Sequence, residues 1–227
     1  MTDKIATVLQ HKNGVSFEPN ETVPFTGKFI IKFENGQKEE ESHYKNGKMD
    51  GLATVFFENG QKWMETNYKD GKTDGLATSW LENGQKESES NYKDGQPNGL
   101  ETFWLENGQK ESESNYKDGQ QLETVFFENG QKQSEMNFKD GKANGLLTVF
   151  FENGQKQSEI NYKDGKANGL VTFWFENGQK EEESNYKDGK LNGNAKKVKD
   201  FLGSLTEYII MCVIAFLALK IVARAIS

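Results

Sequence analysis

"DGLATVFFENGQKWMETNYKDGKT", residues 50–73, decides how the rest of the chain is read. Its first part, residues 52–57, is β-branched and aromatic, and Asn59-Gly60 follows directly. An Asn-Gly pair between two such runs is the strongest local signal for a β-hairpin with a two-residue loop, both φ angles positive. That loop sets Glu58 opposite Gln61, and counting outward pairs Phe57 with Lys62, Phe56 with Trp63, Val55 with Met64 and Thr54 with Glu65. Further out, Leu52 faces Asn67 and Gly51 faces Tyr68. A tyrosine ring over a glycine covers backbone that would otherwise be bare. Tyr92, Tyr162 and Tyr186 take the same place opposite Gly75, Gly145 and Gly169.

The phrase "ENGQK" begins at Glu34, Glu58, Glu82, Glu106, Glu128, Glu152 and Glu176, so the spacing is 24 residues everywhere except 22 between Glu106 and Glu128. A fixed period of this length marks a repeat architecture. Strand alternation puts Leu52, Thr54 and Phe56 on one face and Ala53, Val55 and Phe57 on the other. The first face then carries a ladder of Phe56, Trp80, Trp104, Phe126, Phe150 and Trp174, and the second a ladder of Phe57, Leu81, Leu105, Phe127, Phe151 and Phe175. One hairpin is marginal in water, and such ladders bury area only when the next hairpin stacks alongside. The prediction is an all-β repeat over residues 27–193: an elongated single-layer antiparallel sheet of about seven stacked hairpins, roughly 65 Å long at ~4.8 Å per strand, followed by a C-terminal hydrophobic α-helix.

The short spacing arises because "YKDGQQLET" at residues 116–124 lacks two residues present in "YKDGQPNGLET" at 92–102. An even deletion keeps every later side chain on its face. The expected result is a tighter connection at Asp118-Gly119 with a local change of twist. Residues 1–26 fall outside the repeat and read as an N-terminal cap, in which "GVSFEPN" supplies an end strand closed by Pro19. The first unit has Lys28 and Lys32 where others have leucine and an aromatic, as suits a capping repeat, and Asn192-Gly193 opens an eighth unit that is not completed.

A unit written "NG…T…FENGQK…E…NYKDGK" resembles the MORN repeat variant family, whose bacterial members are commonly labelled antitoxins of the YwqK type; the likeness runs from Gly27 to about Gly193. The resemblance implies a single-layer sheet of stacked hairpins used for protein interaction or scaffolding, in some relatives near membranes.

From Phe201 onward the composition changes to "FLGSLTEYIIMCVIAFLALKIVARAIS". Residues 194–200 read as a basic linker and 201–227 as a membrane-anchor or transmembrane helix, since about 20 residues at ~1.5 Å rise cross ~30 Å of hydrocarbon. The run is apolar on all sides rather than along one stripe, which packing against the sheet would leave wet. The candidate membrane segment comprises Phe201, Tyr208, Ile209, Ile210, Met211, Val213, Ile214, Phe216, Leu217 and Leu219. Lys196, Lys197, Lys199, Lys220 and Arg224 are the candidate headgroup contacts, the last two by snorkelling. The lysines before the anchor place the repeat domain on the cytoplasmic side of a single-pass, C-terminally anchored, membrane-associated protein.

The formal net charge is −7 although residues 194–227 are basic, so the body is strongly acidic and nucleic acid is excluded as its partner. Two histidines, His11 and His43, and one cysteine, Cys212, assemble no metal set and no nucleophile pair. Glu65, Glu89, Glu113, Glu135, Glu159 and Glu183 recur opposite threonines and read as cross-strand hydrogen bonds, since identical environments do not split pKa values. No catalytic, cofactor-binding or metal residue is assigned and no enzyme is expected. Trp63, Trp80, Trp104 and Trp174 form the candidate partner surface. The function expected is a non-enzymatic, membrane-anchored scaffold or protein-interaction module, an accessory subunit of a membrane complex, with one or more protein partners in a homo- or hetero-oligomer. The alternatives are an antitoxin-like neutraliser of a partner toxin and a membrane effector whose tail oligomerises.

Overall fold

The computed structural model describes residues 4–193. Each ENGQK phrase closes a loop of three residues rather than two. Phe57 N–H donates to the Gln61 carbonyl and Gly60 N–H to the Phe57 carbonyl, both at 2.8 Å. Gly60 adopts φ 83° and Asn59 stays outside the positive region. The asparagine works through its side chain instead: its Oδ1 accepts from Gln61 N–H at 2.8 Å, and this bond recurs in every unit. The two-residue turn with both φ angles positive lies at the other margin of the sheet, where Asp70 (50°) and Gly71 (83°) join Lys69 to Lys72.

The longer loop moves the hairpin axis by half a residue, so Phe56 faces Lys62 and not Trp63. Trp63 is then an extra residue, a β-bulge, beyond which Val55–Met64, Thr54–Glu65, Leu52–Asn67 and Gly51–Tyr68 pair as predicted. The same loop and bulge occur in all units.

A second, two-residue bulge follows five of the connecting turns. Tyr68 faces Thr73 and Thr66 faces Ala77, leaving three residues opposite Asn67, whose Nδ2 donates across the gap to the Leu76 carbonyl at 2.8 Å. In the fifth unit this bulge is absent, and the ladder from Lys117–Gln120 to Ser112–Val125 is unbroken. The two missing residues therefore came out of the strand, and the Asp118-Gly119 turn, at φ 50° and 75°, is unchanged rather than tightened.

The strands form one sixteen-stranded sheet in chain order, from Ile5–Ala6, which lies parallel to Gly27–Lys32, to Lys190–Leu191. Contacts run between neighbours in that order, so the sheet is a single layer. At the N-terminal end Val15–Phe17 is not the end strand; it pairs with Gln10–Lys12 in a separate two-stranded sheet. The cap is fastened by Ser16 N–H to the Gly47 carbonyl at 2.8 Å and by the buried Phe25 ring, 5.9 Å from Tyr44. The expected C-terminal helix and basic linker lie outside the described residues.

One row of side chains crosses the sheet from end to end on a single face. It runs Ser42, Ala53, Thr66, Ala77, Ser90, Glu101, Ser114, Glu123, Met136, Leu147, Ile160, Val171, Ser184, each opposite the next. All but Ala77 are buried, shielded by same-face neighbours because the sheet carries no second layer among the described residues.

Candidate interaction surface

The predicted tryptophan surface divides. Trp80, Trp104 and Trp174 stand in one column beside the Thr–Glu pairs, each covered by a lysine of the preceding unit, with Lys62, Lys86 and Lys156 Nζ at 5.8, 5.8 and 6.0 Å from the ring centres. Those lysines also pair with Glu65, Glu89 and Glu159, three residues on in the same strand. These indoles are thus held in Glu–Lys–Trp stacks that tie one unit to the next. Trp63, by contrast, is carried out of the column by its bulge; it is 39% exposed, packs on Phe57 with ring centres 6.2 Å apart, and edges a groove lined by Met64, Tyr68, Ser88, Tyr92 and Phe103.

The recurring glutamates are also engaged differently from the expectation. A hydroxyl bond from threonine occurs at Thr54 to Glu65, at 3.4 Å, while Glu41, Glu65, Glu89, Glu113, Glu135, Glu159 and Glu183 each pair with a lysine. Lys38 and Lys28 together hold the Glu41 carboxyl below its ordinary value.

Two side chains of a different kind were not singled out in the sequence. Glu101 and Glu123 are only 4% and 3% exposed and sit in the central row on either side of Ser114. Ser90 Oγ donates to Glu101 Oε1 at 2.9 Å and Tyr116 Oη to Oε2 at 3.1 Å. Gln121 Nε2 donates to Ser114 Oγ at 3.2 Å. Burial raises the Tyr116 hydroxyl pKa and the nearby Glu123 charge adds to it. The signal was available: the middle residue of each Leu-x-Thr triplet is Ala53, Ala77, Glu101, Glu123, Leu147 and Val171 along the chain, and alternation turns it to the buried face. Among the described residues no group of three or more His, Cys, Asp and Glu is placed to hold a metal ion.

On the opposite face the leucine of each triplet is left in water. Leu52, Leu76, Leu100, Leu122, Leu146 and Leu170 are 37–44% exposed and recur every second strand, roughly 10 Å apart. Beside Leu122, where the fifth unit lacks its bulge, lies a 430 Å³ hollow rimmed by Asn115, Gln121, Asn137 and Asn144 and by Lys117 and Lys139. Of the residues expected at the membrane, the segment from Phe201 to Leu219 and Lys196, Lys197, Lys199, Lys220 and Arg224 lie outside the described residues. No helix among the described residues is long and apolar enough to cross a membrane.

No curated protein matches the chain. Among solved structures it is similar to TarM from S. aureus, at 11% identity and TM-score 0.31 for a point mutant in complex with fondaparinux, alpha-GlcNAc-glycerol and UDP, over 42% of this chain and 20% of that one. It is also similar to the GtfA/B complex bound to UDP and GlcNAc, at 11% identity and TM-score 0.21, over 59% of this chain and 24% of that one. The model of the MORN repeat variant matches seven times, at residues 25–46, 49–70, 73–94, 97–118, 122–140, 143–164 and 167–188. These matches fall one to each loop-and-bulge unit, and the chain belongs to the MORN repeat variant family.

Proposed function

We propose that the protein is a non-enzymatic scaffold in which the sheet presents its leucine-bearing face to a protein partner while residues 201–227 hold it to a membrane. The observation that supports this reading most is the row of half-exposed leucines from Leu52 to Leu170 on a continuous backbone. An apolar residue repeated at fixed spacing on a rigid layer offers many weak contacts in register, which suits an extended partner. MORN repeats are in general protein- and membrane-interaction modules. The buried Glu101 has serine and tyrosine hydroxyls as its bonded neighbours, which suits packing and register rather than acid–base chemistry.

The test uses full-length protein in the cell of origin, with in-cell crosslinking and membrane fractionation. Leu100→Lys with Leu146→Lys is expected to abolish the crosslinked partner while leaving the circular dichroism spectrum and the membrane fraction unchanged. Removing residues 201–227 is expected to release the chain from membranes. A crosslink that survives both lysine changes, or a truncated chain that still sediments with membranes, sinks the reading.

A further inference from the structure

The leucine-bearing face carries lysines in two columns, one at each margin, and the two are treated differently. The loop-side lysines, from Lys38 to Lys180, each pair with the glutamate three residues on. At the opposite margin the lysines flank the connecting turns. Lys139 lies two residues after Asn137, which faces Leu122, so alternation puts it on the leucine face, and Lys142 stands directly opposite it. Lys163 faces Lys166 and Lys187 faces Lys190 in the same way. These lysines are exposed, and none of them has an ion pair among the described residues.

Like charges directly opposite one another destabilise a ladder, so these facing lysines cost the sheet stability. Gln96 opposite Lys93 and Gln120 opposite Lys117 close the same turn with a neutral residue. The fold therefore does not require the lysine pairs, and their charge is free to serve a partner. That charge is concentrated toward one end of the sheet. Near the N-terminal end Asp50 and Asp74 in the bulges add to the aspartates of the turns, whereas Asn144 and Asn168 hold those bulge positions further on. Along the turn margin from Lys139 to Lys190 the only carboxylates are Asp140, Asp164 and Asp188, so lysine is in clear excess.

The basic strip runs beside Leu122, Leu146 and Leu170, which are half-exposed and roughly 10 Å apart. Where the two columns meet, the 430 Å³ hollow beside Leu122 is lined by Lys117, Lys139 and amide side chains and by no carboxylate. In other units Asn67, Asn91 and Asn161 donate to leucine carbonyls, while the Asn115 and Asn137 side chains at the hollow make no hydrogen bond among the described residues. Amide and ammonium donors beside an apolar row are the complement of carboxylates beside an apolar row. We infer that the partner on this face is an acidic protein segment lying across the strands, its apolar side chains repeated every ~10 Å on Leu122, Leu146 and Leu170 and its carboxylates over the lysine pairs from Lys139 to Lys190. The inference rests on the leucine face being the partner's side. A second copy laid face to face brings lysine against lysine and is a poor occupant.

Fluorescence anisotropy with the full-length chain in detergent tests this. The probe is a labelled peptide of Leu-Glu-Glu triplets, whose extended rise of ~3.3 Å per residue repeats leucine every ~10 Å. It is expected to bind at least about tenfold more tightly than peptides of Leu-Lys-Lys or Ser-Glu-Glu triplets, and to weaken as salt is raised. Lys142→Glu with Lys166→Glu turns two repelling pairs into ion pairs. That variant is expected to bind the acidic peptide about tenfold more weakly while its urea midpoint stays or rises, which a merely damaged fold does not do. Equal binding of the Ser-Glu-Glu peptide, or unchanged binding by the lysine variant, overturns the inference. Displacement of the peptide by soluble short-chain phosphatidylserine at equal concentration overturns it by assigning the strip to lipid, and self-association lost in the lysine variant does so by assigning it to another copy. If Leu100→Lys with Leu146→Lys removes the cellular crosslink while the acidic peptide binds no better than the basic one, the leucine face stands and this inference alone falls.

Discussion

The first four and a half units and the last two and a half share one backbone and differ in what the central row buries. From Ser42 to Glu123 the row holds serine, alanine, threonine and glutamate; from Met136 to Val171 it holds four large apolar side chains, which with Val149 and Tyr162 make the main hydrophobic cluster of the described residues. Turn chemistry and register are the same on both sides. The fold is therefore specified by loops, bulges and ladder bonds, and the burial of apolar area is added unevenly on top. Stability should follow the second term, since each buried branched side chain contributes roughly 1.5–3 kcal/mol.

The largest expected effect comes from emptying the apolar half. Ile160, 1% exposed, changed to alanine is expected to cost about 3 kcal/mol in denaturant unfolding. Thr66→Ala, in the polar half of the same row, is expected to cost under about 1 kcal/mol. Equal losses at the two sites would break the comparison.

A smaller and opposite effect is expected from converting the polar half. Glu101→Val with Glu123→Leu gives those positions the residue types of Val171 and Leu147. Exchanging buried charge for well-packed apolar groups is expected to raise stability by about 1–2 kcal/mol, read as a shift of the urea midpoint. A loss instead would show that the hydroxyl bonds to Glu101 hold the centre of the sheet together.

The smallest effect sharpens the contrast inside the apolar half. The Tyr162 hydroxyl is buried with no hydrogen-bond partner among the described residues, and burial pushes its pKa up to about 12. Tyr162→Phe removes an orphaned polar atom and is expected to leave neutral-pH stability unchanged or raised by about 1 kcal/mol. The folded hydroxyl keeps its proton longer than the unfolded one at 10, so its contribution is fully present below pH 10 and is lost as pH climbs through about 12. The phenylalanine variant is expected to lose less stability across that window in alkaline melts.

The periodicity made the single sheet, its strand order and the Tyr-over-Gly column legible in advance. The outer register was also readable, for a reason the sequence does not display: a loop one residue longer than expected and a bulge of one residue at Trp63 cancel. Asn-Gly suits both loop lengths, and only the hydrogen bonds decide between them. For the same reason Trp63 does not join the other indoles as its sequence position suggests, because a bulge re-aims one side chain without altering composition. The deletion in the fifth unit is even in number, as its spacing shows, but it falls in the strand, which had two spare residues to give, and not in the turn. Glu101 and Glu123 escape a reading built on recurrence, since the glutamates that repeat stand out and these two interrupt the repeat.

Along the margin of connecting turns, Gly71 N–H donates to the Met49 carbonyl, Gly95 to Thr73, Gly165 to Ala143 and Gly189 to Ala167, so these four turns are each stitched to the one before. At the fifth unit the stitch changes: Asp140 N–H donates to the Gly119 carbonyl instead, at 3.1 Å. That irregular stitch coincides with the place where Glu123 gives way to Met136. A strip sewn regularly at both ends and irregularly in its middle is expected to yield in the middle when it is loaded, so pulling or twisting this ribbon is expected to concentrate strain between its two chemically distinct lengths.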